Sequence, residues 1–153
     1  MSVVDVPDEA ATEALAAHIS ALAEIGDVIA LSGDLGAGKT TFARAFIWAR
    51  GETGEVPSPT FTLVQVYEFP GAPIWHFDLY RLRSPEEAWE LGIEDAFTEG
   101  ISLIEWPERL GPLLPTHCLQ ITLLFEDRPE ARRTVISAGE NWQQRLVGLC
   151  ADG

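Results

Sequence analysis

Leu15, Ile19, Leu22 and Ile25 recur at spacings of three and four with alanines between them, which predicts a helix over residues 8–25. Pro7 and Asp8 suit its start and Gly26 its end. The short apolar run Val28-Ile29-Ala30-Leu31 then reads as a strand buried on both faces, at a central position in a parallel sheet. A second helix is expected from Lys39 to Arg50, stopped by Gly51, followed by a Gly- and Pro-rich loop over 51–59. Residues 61–68 and 74–79 read as two strands of a hairpin turning through Phe69–Pro73. Ser84-Pro85-Glu86-Glu87 is a helix start carrying a capping-box pattern, and that helix should end near Gly92. Residues 101–105 form another apolar strand. Leu119, Ile121, Leu123 and Phe125 alternate at period two, with 132–137 as a pairing strand and 140–149 as a terminal helix. Together these elements predict an α/β domain with a mixed, largely parallel central sheet flanked by helices.

Between the first strand and the second helix stands Gly33-Asp34-Leu35-Gly36-Ala37-Gly38-Lys39-Thr40, which matches the phosphate-loop pattern G-x-x-x-x-G-K-[ST] at every fixed position. The glycines let the backbone curl so that successive N–H groups point into one concavity. The helix that follows presents its free N–H groups and positive dipole end to phosphates. Lys39 is placed to reach the β- and γ-phosphates, Thr40 to ligate Mg²⁺, and Thr41 to lie close by. Lys39 is the only lysine in the chain, beside nine arginines. A compact ammonium on a flexible stem sits where a guanidinium would be too broad. A Mg²⁺ site also needs a carboxylate, and phosphate-loop proteins supply it at the end of an apolar strand. Glu105 and Asp78 both end such strands, and each is otherwise a solvated strand-end acid. Ser58-Pro59-Thr60-Phe61-Thr62 offers hydroxyls that can sense a γ-phosphate, or is a plain turn into a strand. Trp106 packs over the site or in the core, and His76 is a core or strand histidine.

Composition bounds these readings. The chain has 153 residues, 46% hydrophobic and 22% charged, which suits one ordinary globular domain spanning 1–153. The 24 acidic against 10 basic residues give a net charge of −14, which works against autonomous nucleic-acid binding. Cys118 and Cys150 form no disulfide framework and no metal-ligand spacing. The first ten residues lack a leader pattern and no stretch is apolar enough to span a membrane, so the expectation is a cytoplasmic protein.

The phosphate loop extended through Thr41-Phe42, then Ser58-Pro59-Thr60-Phe61-Thr62-Leu63-Val64, His76-Phe77-Asp78-Leu79-Tyr80-Arg81-Leu82 and Ile104-Glu105-Trp106-Pro107-Glu108 form an ordered set. It closely resembles the TsaE family, bacterial ATPases of tRNA threonylcarbamoyladenosine biosynthesis, over roughly residues 8–138. The resemblance implies ATP and Mg²⁺ as cofactors. It implies the tRNA threonylcarbamoyl transferase complex, with its TsaB and TsaD subunits, as the partner whose repeated turnover ATP hydrolysis supports. Carried over residue by residue, the nucleotide loop falls on Gly36, Ala37, Gly38, Lys39, Thr40 and Thr41, with Lys39 on the phosphates; Gly33, which opens the phosphate-loop pattern, joins the expected cofactor-binding residues. The metal positions fall on Thr40 and Glu105, with Asp78 near the metal or its water. Ser58 and Thr60 lie in the switch segment, Thr12 near the adenine, and Trp106 beside the metal ligand. Lys39, Asp78 and Glu105 are the expected catalytic residues. Arg81 serves as an arginine finger or as a structural salt-bridge partner; with no finger identified, slow turnover raised by a partner is expected. Two other readings use the same loop: a small-molecule kinase, and a nucleotide-sensing module that binds without hydrolysis.

Overall fold

A computed structural model describes residues 2–147 of the chain. Seven strands form one sheet: β1 (Ser2–Val6), β2 (Val28–Ser32), β3 (Val64–Tyr67), β4 (Ile74–Asp78), β5 (Ile101–Glu105), β6 (Leu119–Phe125) and β7 (Arg132–Ser137). Their order across the sheet is β1-β7-β6-β2-β5-β4-β3. The inner four, β6-β2-β5-β4, are parallel, and the β3–β4, β6–β7 and β1–β7 pairs are antiparallel. The fold is therefore the expected α/β one, with a mixed sheet whose four parallel central strands are flanked by antiparallel edge strands.

The continuous apolar run of β2 is explained by burial on both faces. Because strand side chains alternate, Ile29 and Leu31 face one core and Val28 and Ala30 the other. The first core is covered by α1 (Glu9–Leu22) and α2 (Lys39–Ala49), which bring Leu15, Ile19, Phe42 and Phe46. The second is covered by α3 (Ile93–Glu99) and by two 3₁₀ segments, Pro85–Leu91 and Pro107–Leu113. Asp8 caps α1 by accepting from the Ala11 N–H at 2.9 Å.

Several boundaries differ from the sequence reading. The first helix stops at Leu22 rather than residue 25. The Asp27 carboxylate accepts from the Glu24 N–H at 2.6 Å and the Gly26 N–H donates to the Gly100 carbonyl at 2.8 Å, so Ile25 is left 54% exposed in a turn. The strand expected over 61–68 shortens to Val64–Tyr67. Leu63, at φ 69°, donates from its N–H to the Pro59 carbonyl at 2.7 Å and closes a turn over residues 59–63. The helix expected from Ser84 to Gly92 is a 3₁₀ segment, with the Glu87 carboxylate accepting from the Ser84 N–H at 3.1 Å as the capping box requires. Gly92, at φ 83°, separates it from α3, which the periodicity did not reveal. Strand β1 was also not expected. Its Val3 is 48% exposed, so apolar and buried positions do not coincide there. The terminal helix expected over 140–149 is described as α4 (Glu140–Arg145); residues 148–149 and Cys150 lie outside the described residues. Among the described residues no helix is long and apolar enough to cross a membrane.

Candidate functional site

Because β2, β4 and β5 run parallel, their C-terminal ends meet at one edge of the sheet, where ligands of open α/β folds bind. The loop leaving β2 curls through Gly33, Gly36 and Gly38 at φ 143°, 81° and 110°. At Gly33 a Cβ would lie 2.6 Å from the Leu123 carbonyl oxygen, so only glycine fits between the loop and β6. Gly38 precedes α2, and no side chain caps that helix. The first N–H groups of α2 are thus free to receive an anion.

Lys39 is only 5% exposed. Its Nζ donates to the Gly33 carbonyl and, at 3.1 Å, to the Asp34 carbonyl, and lies 4.0 Å from the centroid of the Trp106 ring. Burial lowers its pKa from the ordinary lysine value, against the opposing pull of Glu105, Glu108, Asp78 and Asp34. Trp106 adopts φ 61° immediately after β5, and its ring also meets Tyr80 at 4.9 Å. It therefore packs over the lysine while resting on the second core.

The Thr40 hydroxyl donates to Glu105 Oε1 at 2.9 Å. The other carboxylate oxygen, Oε2, lies 2.7 Å from His76 Nε2, and both side chains are buried. Asp78 is the register partner of Glu105 on β4. Its Oδ2 accepts from the Thr60 hydroxyl at 3.2 Å, Thr60 meets Ser58 at 2.7 Å, and its Oδ1 accepts from the Tyr80 N–H at 3.1 Å. The turn that shortened β3 is what brings Thr60 to Asp78. These groups converge on a cleft of about 230 Å³ beside Gly36, Gly38 and Thr41.

A second cleft of about 400 Å³ lies across the loop and shares Gly36, Gly38 and Thr41 with the first. Thr12 and Ala37 line this one, so Thr12 is separated from Thr40 and Glu105 by the loop itself. Gly33 lines neither cleft and contributes the bend and a carbonyl for Lys39. Arg81 stacks on the exposed Phe61 ring at 4.6 Å, outside the residues lining either cleft.

Two residues of this neighbourhood carried no site assignment from sequence. His76 is one. It stands two positions before Asp78 on the same face of β4 and diagonally across from Glu105, a placement readable once the pairing is known. The other is Arg132, whose guanidinium donates to the Ala37 carbonyl at 2.8 Å and the Gly36 carbonyl at 3.2 Å from 95 and 96 residues away. No local pattern marks it.

Among the described residues no cluster of three or more His, Cys, Asp or Glu forms a metal cage. The oxygens of Thr40 and Glu105 beside a phosphate cradle nevertheless suit a hard cation that keeps water and phosphate ligands.

The family model described as Threonylcarbamoyl adenosine biosynthesis protein TsaE matches residues 6–135. The tRNA threonylcarbamoyladenosine biosynthesis protein TsaE of Rickettsia bellii is 43% identical over 120 residues, covering 78% of this chain and 83% of the relative. The protein of the same name from Bacillus subtilis is 38% identical over 138 residues, covering 90% of this chain and 85% of the relative. The crystal structure of Bacillus subtilis YdiB superposes with a TM-score of 0.81 at 31% identity, over 98% of this chain and 94% of that one. A phosphate loop set in this sheet, together with likeness over nearly the whole length, establishes that the chain belongs to the TsaE family of threonylcarbamoyl adenosine biosynthesis proteins.

Proposed function

We propose that the chain is a Mg²⁺-dependent ATPase that acts on the tRNA threonylcarbamoyl transferase complex, through its TsaB and TsaD subunits, and sustains that complex's turnover. The observation that carries this reading is the 2.9 Å bond between Thr40 and Glu105, made beneath the phosphate loop with Lys39 alongside. That is a hydroxyl, a carboxylate and an ammonium arranged around one anion cradle.

In this mechanism the free N–H groups opening α2 and the loop hold the β- and γ-phosphates, and Lys39 exchanges its carbonyl partners for phosphate oxygens. The Trp106 ring limits the directions that the lysine can take. Thr40 and Glu105 would hold Mg²⁺, with Asp78 beside them, and the ion when bound neutralises charge on the transferring phosphoryl group. His76 occupies one oxygen of Glu105 and so presents the other toward Thr40. Asp78, bonded to the hydroxyl pair of Thr60 and Ser58, orients the attacking water. The nucleoside lies in the second cleft beside Thr12. Among the described residues lining the first cleft Lys39 is the single cation, which fits slow hydrolysis that a partner accelerates. The net charge of −14 fits docking on a protein complex rather than on tRNA itself.

The test is phosphate release from ATP and Mg²⁺, with and without the TsaB and TsaD subunits. A low rate that rises with those subunits and vanishes in Lys39→Ala supports the proposal. A rate indifferent to them removes the partner assignment. Turnover that needs a small acceptor favours a kinase, and nucleotide-dependent association with no hydrolysis favours a sensing module.

A further inference from the structure

The β6–β7 hairpin touches the phosphate loop with both of its strands. From β6, Leu123 lies under Gly33 and near Gly38. From β7, Arg132 reaches over with its whole guanidinium: Nε to Ala37 O at 2.8 Å and Nη2 to Gly36 O at 3.2 Å, while Nη1 donates to Pro129 O at 2.6 Å and Ala131 O at 2.8 Å. The group also lies 4.7 Å from the Phe125 ring. Among the described residues its hydrogen-bond partners are all main-chain carbonyls. Arg145, by contrast, is bonded to a carboxylate.

A trans peptide is planar and sets its C=O and N–H on opposite sides. A guanidinium that holds the Gly36 and Ala37 carbonyls therefore turns the N–H groups of Ala37 and Gly38 away from itself. The Ala37 N–H goes to the Asp34 carbonyl at 3.0 Å, and Gly38 stands at the opening of α2, where phosphate-facing N–H groups are needed. Three positive-φ glycines would otherwise leave this loop many conformations. We propose that Arg132 is a positioning residue for phosphate binding: it holds Gly36–Gly38 in the anion-accepting conformation and makes the β6–β7 hairpin a supporting wall of the site. This rests on the reading of the loop as a nucleotide site.

The experiment uses the full chain as wild type, Arg132→Gln and Arg132→Lys. Each is titrated by calorimetry with Mg·ATP and with sodium tripolyphosphate, which has no nucleoside. Hydrogen exchange of the Ala37 amide is followed without ligand. The expected result is affinity for both ligands reduced about tenfold in Arg132→Gln, the size of effect of removing a supporting hydrogen bond. Faster Ala37 exchange should accompany it, with partial recovery in Arg132→Lys, because one ammonium can serve one carbonyl. Unchanged affinities in folded Arg132→Gln would overturn the proposal. So would a loss confined to ATP with tripolyphosphate binding and Ala37 exchange unchanged, since Arg132 would then touch the nucleoside. If Arg132→Gln does not fold, the same readouts on Arg132→Lys decide. A wild type that binds neither ligand would overturn the nucleotide reading, and the exchange of Ala37 would still report whether Arg132 orders the loop.

Discussion

The two ends of the central strand β2 are built on opposite electrostatic plans. Just before the strand, Asp27 is 5% exposed and takes both arms of the Arg145 guanidinium, at 2.6 Å and 3.2 Å, plus the Glu24 N–H. The aromatic ring of Trp142, fully buried, lies 4.3 Å from that guanidinium. Opposite charges there are matched donor to acceptor, and little is left to bind anything else. Beyond the strand's other end, Lys39 and Glu105 are equally buried, yet neither is bonded to the other. Lys39 is held by carbonyls, and Glu105 by a hydroxyl and an imidazole. The carbonyls and the hydroxyl carry no charge and can be exchanged, so on the proposed reading the buried ammonium and carboxylate keep capacity for an incoming phosphate and cation. Removing one partner of the Asp27–Arg145 pair would strand a buried charge, whereas Lys39 and Glu105, not bonded to each other, are arranged to accept new partners.

Substitutions at the two ends should separate these plans. Lys39→Ala should lower phosphate release by about 10²–10³-fold, the scale of removing one transition-state donor, with thermal unfolding little changed. His76→Ala should free the Glu105 carboxylate and reduce Mg²⁺-dependent activity about 10–100-fold, seen as a raised Mg²⁺ requirement. At the closed end, Trp142→Ala should cost about 3–5 kcal/mol in urea unfolding, while the folded variant binds ATP normally. Arg145→Met should cost about 2 kcal/mol, below the range for a fully buried pair because the arginine is partly exposed. Activity lost in either of these last two, with the protein still folded, would remove the distinction between the ends.

The smallest effect is a pH dependence. Burial lowers the folded-state pKa of Lys39, so in the alkaline range below its ordinary value of 10.5 the unfolded chain holds a proton that the folded chain has lost. Stability contributed by this group therefore rises with pH across that window, and its penalty is fully present below the lowered value. Thermal unfolding of wild type against Lys39→Met, followed through that window without nucleotide, should show the slope in the wild type alone.

Much of this architecture was legible in the chain. The run Val28–Leu31 announced a strand buried on both faces, and the octapeptide from Gly33 to Thr40 announced a glycine-curled loop leading into a helix before any contact was known. The 3₁₀ segments and α3 were less legible, because Gly92, Gly111 and Pro112 interrupt the helical period over short lengths. Strand β1 escaped because its valines occupy both faces of an edge strand. The last residues before 148 carried no assigned role, yet Trp142 and Arg145 complete the closed end of the sheet.

The division follows chain distance. Motifs whose parts adjoin, such as the phosphate loop and the Ser84–Glu87 cap, are dictated by local backbone geometry and can be read from residue order. The pairing of Arg132 with Ala37 across 95 residues and of Arg145 with Asp27 across 118 cannot, and Thr40 and Glu105, 65 residues apart, were joined only through the strand-end position and the family resemblance. Those partners are set by strand order and register, since a shift of one residue in β4 or β7 would turn every side chain to the other face. The proposed phosphate role of the single lysine comes from its neighbours in the chain. The choice of the imidazole of His76 and the guanidinium of Arg132 that surround its loop, and the contact of Glu105 with Thr40, were decided by the way the sheet assembles.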